Sequence, residues 1–423
     1  MIILATVLSG LSLLMSLLLL IRLKVNKPGL ILWFLKISAG VLSPYWAIIG
    51  AVGAVIGWVY GAIWAIPMGI AGAGMMILYV WQCTRDHKGF EKAFGAGWSD
   101  QIPPEQTKRM LQKRWSWFLK TKFSQEPSFE RDITFWTIPG TKRELLCDIW
   151  SPTDGNVSGL AFIYFHGSGW HIGDKDLGTR PLLRHLVAQG HTVMDVSYRL
   201  CPEVDIYGMI GDVKRAIAWM KANASRYGVN PEKIVLGGGS AGGHLAMLAG
   251  YAPGHPDLTP QELKSADLSV GGIISYYGPT DLLAFYQNTG QQRIKQHRDG
   301  YFPPVSNDLD APKSLRNAGR LDILLGGHPE EVPEMYQLAS TTTHVHPRCP
   351  PTLLIQGDHD RSVPVNATCA FFMKLVEAGV PAINVVFPWT DHGFDLLLPQ
   401  INPAAQSALY DVDRFLALLL NKD

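Results

Sequence analysis

An α/β domain with a mostly parallel sheet, preceded by an apolar head of about three transmembrane helices, is the architecture this sequence predicts. From about residue 133 onward, short β-rich apolar runs alternate with helical patterns, the mark of strands joined by crossover helices. Before residue 85, two long stretches carry no charge at all. The charges themselves divide unevenly. Residues 1–84 hold four basic side chains (Arg22, Lys24, Lys27, Lys36) and no acidic one, leaving 33 basic against 36 acidic in the rest. The net charge of +1 over 423 residues is thus an average of a +4 head and a −3 body. That balance excludes nucleic-acid binding built on gross positive charge. A composition 47% apolar and 17% charged excludes wholesale disorder.

In the head, Ile2 to Ile21 is an uncharged run of 20 residues, the length of one bilayer crossing. A cleaved signal peptide would show a basic stretch first, so a retained anchor is expected. Ile37 to Thr84 adds 48 uncharged residues, which as one helix at about 1.5 Å per residue would far exceed a hydrocarbon core. Two crossings are the natural division, one opened by Ser43-Pro44 and the other by Pro67. Gly53, Gly57 and Gly61 recur at four-residue spacing, which allows close helix approach. The positive-inside rule places a 22–36 loop and the body on the cytoplasmic side, an inference that reverses if 37–84 crosses once. The expected organisation is a membrane region at 1–84, a basic amphipathic juxtamembrane linker at 85–128, and the α/β domain at 129–423. Within the linker, residues 104–122 mix six Lys and Arg with Met110, Leu111, Trp115, Trp117 and Phe118. Such a helix can lie on an anionic lipid surface or pack on the body.

In the body, Ile133–Ile138 and Leu145–Trp150 read as the first strands, and Gly159–Phe165 as a buried one. Pro181–Ala188 is helical and Thr192–Ser197 a strand; Tyr207–Tyr227 is a long helix with apolar residues at Met209, Val213, Ile217 and Met220. Strands follow at Lys233–Gly237, Val270–Tyr276, Thr352–Gln356 and Ile383–Phe387, with helices near 365–378 and 404–420. The segment at about 281–348 is too long for a simple crossover and reads as a cap over the carboxyl edge of the sheet.

Chemistry concentrates at the ends of these strands. The strand at 233–237 runs into Gly238-Gly239-Ser240-Ala241-Gly242, a G-x-S-x-G turn followed by a helix, the context of a nucleophilic serine. Its rival, a phosphate-cradling loop, lacks the Lys-Ser/Thr pair of a P-loop. A serine hydroxyl needs a base, and the base an orienting acid, in the chain order Ser, acid, His. Asp360 follows the strand at 352–356 and His392 follows the strand at 383–387. Asp358 reads as a turn cap; Asp391 and Asp395 lie too close to His392 in sequence to orient its ring. His244, His344, His346 and His359 read as structural or cap residues, and His344-x-His346 lacks further metal ligands. An oxyanion needs N–H donors, and Gly167, Ser168 and Gly169 follow the buried strand where such a loop belongs, to act with Ala241. The five cysteines are scattered, without a C-x-x-C pair, and read as free thiols of a reducing compartment.

Taken together, His166-Gly-Ser-Gly-Trp170, Asp195-Val-Ser-Tyr-Arg-Leu-Cys-Pro-Glu203, Gly238-Gly-Ser-Ala-Gly242, Gly357-Asp-His-Asp360 and Asp391-His-Gly393 resemble the hormone-sensitive-lipase-like and feruloyl-esterase-like carboxylesterases. The resemblance covers about residues 130–420 and not the head. It departs at Ser168, where the family usually has glycine, and at Cys201, where it usually has alanine. It implies an α/β-hydrolase fold and a serine carboxylic-ester hydrolase that needs no metal or organic cofactor. The implied catalytic residues are Ser240, His392 and Asp360, with the oxyanion held by the Gly167–Gly169 loop and Ala241. The substrate would be a small-molecule or lipid-like ester, and the bilayer would be contacted through 1–84. Amide hydrolysis by the same residues, and a non-catalytic ligand receptor on the same fold, are the alternatives.

Overall fold

The computed structural model describes residues 1–24, 27–121, 126–153, 155, 157–289 and 320–421. Lys122 of the basic linker and residues 290–319 of the expected cap lie outside the described residues.

The head consists of four helices: α1 (Ile2–Leu20), α2 (Lys27–Val41), α3 (Ser43–Val59) and α4 (Ala65–Thr84). α1 and the α4 region are each long and apolar enough to cross a membrane; α2 and α3 meet that test only as a pair, bent by 78°. The expected 22–36 loop is therefore corrected, because α2 begins at Lys27. Only one charge, Lys36, interrupts its apolar sequence after Pro28, and that charge is buried against the body. Ser43 does not cap α3. It is the first helical residue, and its hydroxyl donates to the Gly40 carbonyl at 2.7 Å.

α1, α3 and α4 pack through small residues, so their backbones come close. A Cβ at Gly50 would lie 2.5 Å from Ser12 Oγ, and one at Gly53 would lie 2.6 Å from Ser9 Oγ. Gly57 belongs to the same stripe, against Ala62 and Ala65. Gly61 does not: with φ of +77° it makes the turn between α3 and α4.

The linker holds α5 (Gly89–Phe94) and α6 (Pro104–Arg109). The amphipathic helix expected over 104–122 is corrected: helix ends at Arg109 and the chain continues without regular structure over the body. The amides of Leu111, Ser116 and Leu119 donate to Asp413, Gln406 and the Gln400 carbonyl at 2.7–2.8 Å.

The body is built on one sheet with the order β1 (Ser128–Thr137), β2 (Glu144–Ser151), β4 (Thr192–Val196), β3 (Ala161–Phe165), β5 (Ile234–Gly239), β6 (Gly272–Tyr276), β7 (Thr352–Gly357), β8 (Ala382–Phe387). β1, β2 and β4 pair antiparallel, and the remaining pairs are parallel. β3 to β7 are buried along their whole length, as strands covered on both faces must be. The covering helices are α7 (Arg180–Ala188), α8 (Ile206–Ala222), α9 (Ala241–Tyr251), α10 (282–289), α11 (Arg320–Leu325), α12 (Pro333–Ala339), α13 (Val365–Glu377) and α14 (Pro403–Leu419). α8 is shorter than expected, because the chain tightens into a 3₁₀ turn at Ala224–Tyr227. In the expected cap segment, α10 to α12 pack on the core beside Trp170 and Val363. The parallel strands aim their carboxyl ends at one edge, where the loops after β3, β5, β7 and β8 meet.

Candidate active site

Ser240 sits between β5 and α9 with φ of +54° and ψ of −119°, a strained turn that pushes the side chain out of the strand line. The flanking glycines are required by contact. A Cβ at Gly238 would lie 2.5 Å from both Gly242 C and Phe165 O, and one at Gly242 would collide with the Phe165 carbonyl. β3 therefore presses directly on the serine turn and brings its following loop beside it.

The loops after β7 and β8 supply the partners. His392 Nε2 lies 3.0 Å from Ser240 Oγ, and His392 Nδ1 lies 2.9 Å from Asp360 Oδ2. Asp360 is buried and its other oxygen accepts the amides of Ser362 and Val363, each at 2.8 Å. Three residues predicted from three separate strand ends thus form one hydrogen-bonded chain. Proton removal from Ser240 by the ring, with the carboxylate fixing the tautomer, is the chemistry such a chain allows.

The loop after β3 runs through left-handed backbone at Ser168 (φ +89°), Gly169 (+65°) and Trp170 (+64°). Gly167 packs against the serine turn, where a Cβ would lie 2.9 Å from Gly239 O and 3.4 Å from Ser240 Cβ. Ser168 adopts the left-handed conformation without being glycine. Tyr198 anchors the loop by donating to His166 O at 2.8 Å and stacking on the His166 ring. Ala241 opens α9, so its N–H is one of the first-turn donors without an intrahelical acceptor.

Asp391 accepts the backbone amides of His392 (2.8 Å) and Arg361 (3.0 Å), and burial raises its carboxyl pKa above the usual range. It is a backbone bridge and not a partner of the imidazole. His244, His344 and His346 bond to carbonyls at Ala339, Leu338 and Tyr251. Among the described residues no group of three His, Cys, Asp or Glu is placed to hold a metal. The five cysteines are free thiols.

Two features of the site were missed in the sequence. Tyr277, with φ of +42°, lays its ring 4.5 Å from that of His392 and donates to the buried Asp395, whose carboxyl pKa is raised by burial. Its position just after β6, at the carboxyl edge, was the available signal. The other feature is the head itself: Trp33 Nε1 donates to His392 O at 2.9 Å. A cavity of about 420 Å³ is lined by Phe118, Leu182, Tyr276, Asp395, Leu396 and Leu409, and its lining does not include Ser240.

Comparison with known proteins bears on the body. The chain is similar to "Probable carboxylic ester hydrolase LipM" of Mycobacterium tuberculosis, 32% identical over 59% of this chain and 53% of LipM. Esterase LipQ of the same organism is 30% identical over 60% of this chain and 55% of LipQ. The chain spans about half the length of these curated relatives. Among solved structures, the propionate-bound esterase Est2 of Thermogutta terrifontis matches with a TM-score of 0.52 and 26% identity, over 67% of this chain and 92% of Est2. A truncated carbohydrate esterase from gut microbiota shares the fold, with a TM-score of 0.55 and 21% identity over 73% of this chain and 100% of that one. Residues 147–375, more than half of the sequence and the whole stretch from β2 through the Ser240 turn to the Asp360 loop, match the BD-FAE family model, and the chain belongs to that family.

Proposed function

We propose that the chain is a membrane-associated serine carboxylic-ester hydrolase that works through an acyl-enzyme. The observation that carries this reading is the Ser240–His392–Asp360 chain at 3.0 and 2.9 Å, on a strained turn between a strand and a helix. In the mechanism, Ser240 Oγ attacks the ester carbonyl as His392 Nε2 takes its proton. The imidazolium formed is held by Asp360, and His392 then protonates the leaving alcohol. In this reading the N–H groups of Ser168, Gly169 and Ala241 donate to the carbonyl oxygen as it gains charge, and Gly167 lets the loop approach the serine turn. Water repeats the sequence in reverse to release the acid. Esters are favoured over amides by the relatives LipM, LipQ and Est2, each named for ester hydrolysis.

For the head we propose three crossings, by α1, α3 and α4, with α2 lying against the body at the membrane surface. The contacts support this parity. Ile21, after α1, accepts from Lys36, which also touches His359 of the body. Tyr45, at the start of α3, packs on Trp117 of the linker, while Trp64, before α4, donates to Thr6 near the start of α1. The body ends of the helices carry Arg22, Lys24, Lys27, Arg85, Lys88 and Lys92, whereas the α3–α4 turn carries no charge. The positive-inside rule then puts the body in the cytoplasm.

Labelling with a reactive fluorophosphonate tests the catalytic assignment: wild type is labelled and Ser240→Ala is not. Equal labelling of both would refute it. Rates on p-nitrophenyl esters from acetate to palmitate, beside the matching anilides, give the acyl preference and the ester-to-amide ratio.

A further inference from the structure

The first part of the loop that carries His392, residues 389–393, rests on the apolar head. Tyr79 of α4 stacks on Trp389 (centroids 6.5 Å apart, 12° between planes), and its hydroxyl lies 3.2 Å from Thr390 Oγ1. Lys36 of α2 places Nζ 3.7 Å from Asp391 Oδ2. Trp33 donates its indole N–H to the His392 carbonyl, lies against Gly393 and carries the Arg361 guanidinium 4.7 Å above its ring. Five consecutive residues, 389 to 393, are therefore each held by a residue of α2 or α4.

Lys36 is the centre of this contact. It is 1% exposed, donates to Ile21 O at 2.6 Å, and faces His359 Nδ1 at 3.0 Å. Asp391, its ionic partner, ties the His392 amide to the Arg361 amide, so one carboxylate joins the histidine loop to the acid loop. Among the described residues Asp391 Oδ2 has no hydrogen-bond partner, and the Lys36 ammonium 3.7 Å away compensates its buried charge. Losing one member of a buried pair leaves an uncompensated charge, whereas losing both is far less costly.

We propose that Trp33 and Lys36 are positioning residues for His392, so that the apolar head forms part of the active site and is more than a tether. This rests on the Ser240–His392–Asp360 reading given above. The head acts through the loop backbone and touches neither substrate nor reacting atoms. Misplacement of a base by a fraction of an ångström lowers the rate of proton transfer without changing how a small ester binds.

The test uses the full chain in detergent with p-nitrophenyl acetate, a substrate that needs no membrane. Lys36→Met is expected to lower kcat about tenfold or more, and Trp33→Phe about threefold or more, with KM within about twofold of wild type. Fluorophosphonate labelling should slow in step with kcat. Lys36→Met combined with Asp391→Asn should recover most of the kcat lost in Lys36→Met, because an amide oxygen still accepts the two loop N–H groups and no charge is stranded. Trp64→Phe, at the far end of the head, should match wild type. The proposal is overturned if Lys36→Met and Trp33→Phe keep kcat within twofold of wild type while Ser240→Ala is inactive. It is equally overturned if kcat losses come with matching KM rises, or if the double variant is no better than Lys36→Met. Activity retained by Ser240→Ala would instead remove the underlying reading.

Discussion

His244 stands four residues after the nucleophile, fully buried under the oxyanion loop. Its Nδ1 accepts from Trp170 Nε1 at 3.3 Å while its Nε2 faces the Ala339 carbonyl at 2.7 Å, which requires the neutral ring with the proton on Nε2. Burial pushes its pKa from 6.5 down to about 4. A folded-state value below the unfolded one gives stability that is complete above pH 6.5 and is lost as pH falls through about 4. The contribution is about 3 kcal/mol, because a tenfold change in proton affinity is worth about 1.4 kcal/mol. His191, likewise buried and near 4, adds a slope of the same sign. The fall in Tm between pH 7 and pH 4.5 should therefore narrow in His244→Gln without vanishing; an unchanged fall in thermal unfolding would contradict this. Ser240, Asp360 and His392 were legible because each sits in a short motif at a strand end, and chain order is a strong constraint. Trp33 and Lys36 were not, since their partners on the body lie more than 300 residues away and a lone lysine among apolar residues resembles a loop charge.

At the scale of elements, the linker shows where periodicity misleads. Met110, Leu111, Trp115 and Phe118 have helical spacing, yet carboxylates and amides of α14 and its preceding loop take the backbone donors a helix would have used. Arg114 pins this path. It lies 2.9 Å from both Asp86 and Asp411, donates to Ser407, and covers the Tyr410 ring at 4.4 Å. Asp411 is fully buried and has His87 as its other partner, at 3.0 Å. Replacing Arg114 by Met removes the permanent charge paired with that carboxylate and leaves it His87 alone, at a cost of about 3 kcal/mol. Arg114→Met is thus expected to lower Tm and to expose residues 110–121 to limited proteolysis; wild-type Tm and cleavage would show that the ion pair holds nothing. β2 to β8, by contrast, agreed with the sequence to within two residues, because a buried strand is a short apolar run with little else to become. β1 starts five residues before the expected Ile133, its polar and exposed first half carrying no apolar run.

Across the whole molecule, the charge asymmetry and the packing of the head point to the same orientation by independent routes. Small-residue contacts hold α1, α3 and α4 side by side, and the contacts at their ends give each helix a direction. α1 arrives at the body, α3 leaves it and α4 returns, so the α3–α4 turn lies farthest from the esterase-like domain. In sequence, Arg22 and Lys24 fall between α1 and α2, Lys27 opens α2, and Lys36 of α2 contacts His359 and Asp391 of the body. Ile63 in that far turn is 74% exposed, and Ser99 in the linker is exposed on the opposite side. Four native cysteines are buried and Cys369 is partly exposed, so Cys369→Ser provides a quiet background. In intact cells, a membrane-impermeant maleimide should label Ile63→Cys and spare Ser99→Cys until the membrane is opened. The reverse pattern would place the body outside, and with it the active site. Labelling of both in intact cells would mean that the head lies on the bilayer without crossing it.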